Sequence, residues 1–323
     1  MPRIRFPRRG SLQVWPRVRA KRAYPRVRNF KLSKDTKLNG FIGYKVGMTH
    51  IVINDPFPNS STKGTEIVWP ITVIECPPLK SISLRFYKNF KHGSNLVGEI
   101  FANKIDNEAK RSYNLPKQIK NKETNDFDLI KLLIYTQPKL GGVGKKTPEI
   151  LEIPISGDKN SALEYGKKIL NSEIKITDVF KENQLVDLHG VTKGKGVQGP
   201  VKRFGVAILS HKANKTKRGV AGLGPWTPSK VSYRRPVAGK MGYHSRTEYN
   251  KHLIKIGNKP TEIIPKGDFL QYGKVKSDYI LIKGSVMGAR KRAIILTNPR
   301  REKKELVPVQ IPISYISKSS KQG

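Results

Sequence analysis

Apolar residues along this chain gather into short runs rather than long helical stripes. Gly40-Phe41-Ile42-Gly43-Tyr44-Lys45-Val46-Gly47-Met48 and Thr49-His50-Ile51-Val52-Ile53 read as strands, stopped at Asn54-Asp55-Pro56. Trp69 to Glu75 and Ile82 to Tyr87 continue in that style. Leu185 to Val191, Tyr279 to Ile282 and Ala293 to Thr297 are later runs that can close the same sheet. Glycines inside the runs mark bends of the kind found at barrel corners. The pattern predicts a mainly β fold, with a small β-barrel split over residues 41–90, 185–203 and 250–300. Residues 91–184 change character. There Asp128 to Tyr135 reads as a strand and Ser161 to Leu170 as a short helix, so an α+β insertion is expected.

Two stretches lack such periodicity. Residues 1–40 are punctuated by prolines, each fixing φ and removing a donor, which excludes a long helix or a central strand. Residues 204–249 are rich in Gly, Lys, Arg, Ser and Thr, and a loop that long inside a compact domain is functional or disordered. A basic N-terminal arm and an internal finger loop are expected. Residues 301–323 form a C-terminal segment.

Charge sharpens this division. The 323 residues hold 63 Lys+Arg against 24 Asp+Glu, a net +39. Roughly 2–8 units suffice for the solubility of a small domain. A larger excess repels itself unless a polyanion neutralises it. This argues against an ordinary metabolic enzyme and puts nucleic acid first among partner classes. An anionic membrane is second, but the arms are broken by Pro and Gly and offer no amphipathic helix. The longest apolar stretch, Ile67 to Leu79, contains Glu75 and three prolines and is too short to span a bilayer. No membrane partner is expected. A single cysteine, Cys76, forms no intramolecular disulfide, which fits a reducing compartment. Met1 to Gly10 carries no secretory apolar core.

The charge is blocked rather than dispersed. Residues 1–40 and 191–250 each carry a net +12, with Asp35 and Glu248 as their sole acids. Residues 251–323 carry +11, whereas 41–190 contribute +4. The insertion alone holds 13 of the 24 acids. Blocks of like charge mark interaction segments.

The arm repeats an aromatic followed by alternating arginines: Trp15-Pro16-Arg17-Val18-Arg19, then Tyr24-Pro25-Arg26-Val27-Arg28. Phe6-Pro7-Arg8-Arg9 is a looser copy. Arginine forks match phosphate oxygens, and aromatic planes stack on unpaired bases. Arg8, Arg9, Arg17, Arg19, Arg26 and Arg28 are therefore candidate RNA contacts.

Gly194, Gly196 and Gly199 spell G-x-G-x-x-G. A dinucleotide fold needs a helix after the glycines and an acid about 20 residues on. Here Pro200 follows at once, and the first acid is Glu248. The motif reads instead as a glycine turn that lets backbone approach phosphate, with Lys193, Lys195, Lys202 and Arg203 supplying charge. Gly141-Gly142-Val143-Gly144-Lys145-Lys146-Thr147 is a second phosphate-loop lookalike, but Lys139 stands where its first glycine belongs. In the finger, Lys215, Lys217, Arg218, Arg234, Arg235, Lys240, His244 and Arg246 continue the basic track. Trp226 sits in a Gly/Pro apex, Gly219 to Pro228, whose limbs hold too few apolar residues to bury it. It reads as a tip for folded RNA. The six histidines and Cys76 have no metal-ligand spacing. Asp187-x-His189 and His244-Ser245 are weak triad fragments. No catalytic residue, metal or cofactor is expected.

The run Phe180 to Arg203 resembles the signature of the universal large-subunit ribosomal protein three family, through Phe180, Asp187, Gly190, Thr192, Gly194-Lys195-Gly196, Gly199 and Arg203. Pro7-Arg8-Arg9-Gly10-Ser11-Leu12, Gly43-Tyr44-Lys45-Val46-Gly47-Met48-Thr49 and Gly242-Tyr243-His244-Ser245-Arg246-Thr247 are similar to that family too. The long arm and insertion resemble its archaeal and eukaryotic branch, and the lack of a longer eukaryote-like tail favours an archaeal member. The resemblance implies a translation-protein-type β-barrel with an α+β insertion and two RNA-penetrating extensions. It implies binding of 23S-type rRNA near its 3′ end, early in subunit assembly, with Trp226 approaching the peptidyl-transferase centre. It also implies a cytoplasmic place in the ribosome, large-subunit proteins fourteen and twenty-four as neighbours, no homo-oligomer and no enzymatic activity. The alternative is an RNA-modifying or RNA-chaperone protein outside the mature ribosome. Eukaryotic members carry a modified histidine where this sequence has Asn214, and His211 is out of register, so that modification is not carried over.

Overall fold

The computed structural model describes residues 10–33, 35–119, 121–124, 126–212, 216–220, 222–302 and 311–320. The chain divides into two compact units. The smaller comprises Met1–Arg22 and Val191–Ser245; the larger comprises Ala23–Gly190 and Arg246–Gly323. Among the described residues there are thirteen strands and two α-helices, so the fold is mainly β, as expected.

In the larger unit, hydrogen bonding is organised by β1 (Gly40–Asn54). It pairs antiparallel with β2 (Glu66–Glu75) and, through Gly40 to Tyr44, with β12 (Ala293–Thr297). The remaining order runs from β12 through β7 (Gln184–Val191), β10 (Ser245–Gly257) and β11 (Tyr279–Lys283) back to β2. The pairing thus closes six strands on themselves, the connectivity a barrel requires. β13 (Ile313–Ile316) adds to the far half of β1. β11 and β12 read as near-unbroken apolar runs because both of their faces are covered, whereas the first seven residues of β10 are exposed or half-buried. Phe41, Ile71, Leu188, Ile280, Ile282 and Ile294 are all fully buried there.

β3 (Leu79–Phe90), expected to follow β2 into the barrel, belongs instead to a four-stranded antiparallel sheet. Its partners are β4 (Gly93–Phe101) and β5 (Leu129–Thr136), and β6 (Ile150–Pro154) completes the sheet. An apolar run announces a strand but not its neighbour. Helix α1 (Lys159–Leu170) buries Ala162, Gly166, Ile169 and Leu170, one stripe at helical spacing, and packs on β3 and β5. No helix among the described residues is long and apolar enough to cross a membrane.

Candidate nucleic-acid interface

The smaller unit contains 20 Lys+Arg and not one acidic residue in 77 positions. Every ion pair among the described residues lies in the larger unit. What holds the smaller unit together is therefore not charge pairing.

Its frame is a two-stranded sheet. β8 (Gly194–Gln198) pairs antiparallel with β9 (Gly239–Gly242), Gly194 opposite Gly242 and Val197 opposite Lys240. Gly242 has φ of +75°, and a Cβ there would stand 2.0 Å from the Lys193 carbonyl oxygen, so only glycine fits. Contrary to the expectation drawn from Pro200, a helix does follow the three glycines: α2, Pro200–Phe204. Proline suits a first helical position, where its missing N–H would have no partner anyway. Gly205, at φ of +68°, stops the helix after five residues and donates to the Val201 carbonyl at 2.9 Å. The dinucleotide reading still lacks its acid.

The arm folds onto this frame through aromatic and carbonyl contacts. The Trp15 ring stacks on Phe204 at 5.8 Å between centroids, and Tyr233 meets Trp15 edge-on at 6.0 Å. The Arg17 guanidinium lies 4.1 Å from the Phe204 centroid, and its Nη1 donates to the Arg203 carbonyl at 2.9 Å. Arg19 lies over Tyr243 at 5.5 Å, and the Ala20 N–H donates to the Tyr243 carbonyl at 2.8 Å. His244 is buried, with Nδ1 2.8 Å from the Val18 carbonyl oxygen. Arg203 donates to the carbonyls of Lys240 and Val237, each at 3.0 Å, and burial lowers its pKa. Arg235 donates to the Gly222 carbonyl.

The predicted residues thus separate into two groups. Arg17, Arg203, Arg235 and His244 hold the unit together. Arg19, Lys193, Lys195, Lys202, Lys217, Arg218, Arg234 and Lys240 are exposed. Of the glycine turn, Gly196 adopts φ of +67° and Gly199 is extended ahead of α2. Trp226 is 91% exposed, so it enters no core within the chain. Arg26 and Arg28 are exposed and Arg246 is half-buried, all three in the larger unit. Arg8, Arg9 and Lys215, like Asn214, lie outside the described residues. The cluster of Trp15, Phe204 and Tyr233 escaped sequence reasoning, since nothing in local periodicity links positions so far apart.

The candidate triad fragment has no catalytic geometry. Asp187 accepts from the backbone N–H groups of Asn250 and Arg300, each at 2.8 Å. His189 sits between the hydroxyls of Thr247, at 2.9 Å, and Thr297, at 3.0 Å, and burial lowers its pKa. Among the described residues no group of His, Cys, Asp and Glu could hold a metal ion.

A folded frame with an uncompensated basic surface narrows the class to polyanion binders. The family model for ribosomal protein L3 matches residues 1–323. The chain belongs to the ribosomal protein L3 family. Curated relatives agree along nearly the whole length. The large ribosomal subunit protein uL3 of Methanocaldococcus jannaschii is 44% identical, covering 99% of this chain and 98% of its own. That of Archaeoglobus fulgidus is 44% identical over 98% of each chain. That of Methanothrix thermoacetophila is 40% identical over the full length of both. L3 membership of archaeal type makes this a ribosomal protein and not an enzyme.

Proposed function

We propose that this chain is a structural constituent of the large ribosomal subunit in the cytoplasm, and that its acid-free unit binds 23S-type rRNA near its 3′ end. The observation that carries this reading is the exposed set Lys193, Lys195, Lys202, Lys217, Arg218 and Lys240, which no carboxylate of its own unit can neutralise. Phosphates are the complementary groups, and each one neutralised releases condensed counterions, so binding weakens steeply with salt. Gly194, Gly196 and Gly199 leave room for the backbone to approach a phosphate, since an added Cβ at Gly196 or Gly199 would meet nothing within 4 Å.

Trp226, exposed at the apex of the finger, packs into folded rRNA and supports the geometry of the peptidyl-transferase centre. The chain nucleates assembly by gathering rRNA helices around its basic extensions. Large-subunit proteins fourteen and twenty-four are its neighbours, a reading supported by the family alone. The test is co-sedimentation. The chain sediments with mature large subunits at moderate salt if it is a constituent; recovery only with immature particles or at the top of the gradient is the behaviour of a transient chaperone and contradicts the proposal.

A further inference from the structure

We propose that the larger unit carries a second RNA-phosphate site, built on the lookalike loop Gly141 to Thr147. This rests on the reading of the chain as an rRNA binder but concerns a different surface. An open cavity of about 370 Å³ is lined by Lys139, Lys145 and Lys146 from one loop and by Lys274 and Lys276 from another. Pro138, Gly141, Gly142 and Gly144 complete its wall, and no acidic or aromatic side chain lines it.

Five lysines do not converge without a scaffold. Here the scaffold is Glu75, fully buried at the end of β2. Its carboxylate accepts from the Gly142 N–H at 2.8 Å, the Lys276 N–H at 2.6 Å, the Ser277 N–H at 3.0 Å and the Tyr272 hydroxyl. One carboxylate thus ties the backbones of both lysine-bearing loops. The loops meet so closely that a Cβ on Gly142 would stand 2.1 Å from the Lys274 carbonyl oxygen. Two of the five lysines are already paired: Lys139 with Glu108 and Lys145 with Glu149. Lys146, Lys274 and Lys276 are exposed, and no ion pair among the described residues reaches them.

The lining chooses the ligand. With no aromatic plane to stack a base and no carboxylate to take a ribose hydroxyl, the cavity recognises phosphate and not a nucleoside. An open, glycine-walled cavity with three unanswered ammonium groups suits the backbone of an RNA strand running across it.

The test uses the full chain and a 23S-type rRNA transcript. Binding constants are measured against salt for the wild type, for K146A/K274A/K276A, for K193A/K195A/K202A in the smaller unit, and for the control K63A/K117A/K168A. Lys63, Lys117 and Lys168 are likewise exposed, with no ion pair among the described residues. The log–log slope shrinks by about 0.9 for each duplex phosphate that is no longer neutralised. The cavity variant is expected to reduce the slope by about 2 units and the control by much less. The glutamine triple K146Q/K274Q/K276Q repeats the measurement with side-chain bulk retained. A cavity variant that matches the control overturns the inference; if the smaller-unit variant still reduces the slope, the proposed function stands without it. A wild type whose binding ignores salt sinks both. If calorimetry shows that the cavity variant no longer binds tripolyphosphate while its RNA slope is unchanged, the site serves small anions, and the RNA assignment is overturned.

Discussion

The two units carry almost the same net charge, +20 in 77 residues and +19 in 246. They treat it differently. The larger unit holds all 24 acids and answers much of its charge internally. Arg85 sits between Glu99, at 2.8 Å, and Glu152, and the two carboxylates hold its guanidinium charged against the cost of burial. Lys80 reaches Asp106 at 2.9 Å, and Lys255 reaches Glu262 at 2.8 Å. Among the described residues of the smaller unit, cations meet carbonyls, aromatic faces and the Tyr233 hydroxyl. Net charge therefore does not separate the two units. The absence of internal counter-charge does.

The cores differ as sharply. The ring strands of the larger unit bury whole side chains, whereas the smaller buries little beyond Val191, Pro200, Phe204 and His244. So small a core leaves the smaller unit marginal by itself, and a bound polyanion would add stability by removing self-repulsion.

The largest way to break this contrast is Phe204→Ala. It removes the ring that Trp15 and Arg17 pack on, at a cost of about 3 kcal/mol. The effect is local. Amide exchange quickens at Ala20, Arg203 and Gly205, while β1, β11 and β12 keep their protection. Uniform acceleration across both units would mean that the division is not energetic.

Next come two changes confined to the larger unit. Arg85→Ala strands Glu99 and Glu152 and costs about 2 kcal/mol, read as a lower Tm with unchanged rRNA affinity. Burial, helped by the Lys283 ammonium, pushes the His252 imidazole down to about 4. An unfolded histidine titrates near 6.5. Between those values the unfolded state binds more protons, so the stability His252 contributes is complete above pH 6.5 and is lost as pH falls toward 4. Solvent screening holds the loss to about 2 kcal/mol. His252→Gln should flatten the dependence of Tm on pH across this window; an unchanged profile contradicts the assignment. The smallest effect is Trp226→Ala. Its exposure predicts a stability change within about 0.5 kcal/mol, with subunits that assemble but accommodate tRNA at an altered rate. Unchanged translation kinetics would remove the tip from the account.

Part of the larger unit is legible in the sequence because strands such as β11 and β12 are covered on both faces, whereas β10, polar and partly exposed in its first half, carries no such run. β12 matches its predicted run to the residue, and β7 and β11 nearly so. β1 was expected as two strands and is one, since a register shift between Lys45 and Gly47 absorbs the irregularity without ending the pairing. β8 and β9 were invisible, because Gly-Lys-Gly-Val-Gln and Gly-Lys-Met-Gly carry no strand propensity and are held by each other. β13 hid in the C-terminal segment for a related reason: a four-residue strand is too short for alternation to show. In the smaller unit, spacing found the exposed lysines of the glycine turn. It could not tell them from Arg17, Arg203, Arg235 and His244, because the groups those residues hold are distant in sequence.

The central claim is that the placement of the basic residues, above all in the acid-free unit, and not the total charge, sets rRNA binding. Equal charge removal separates the two: K193A/K195A/K202A against K63A/K117A/K168A, each removing three units. The account predicts that the first shrinks the slope of log affinity against log salt by roughly 2–3 and leaves Tm unchanged, while the second barely moves either. Equal slopes for the two variants would contradict it.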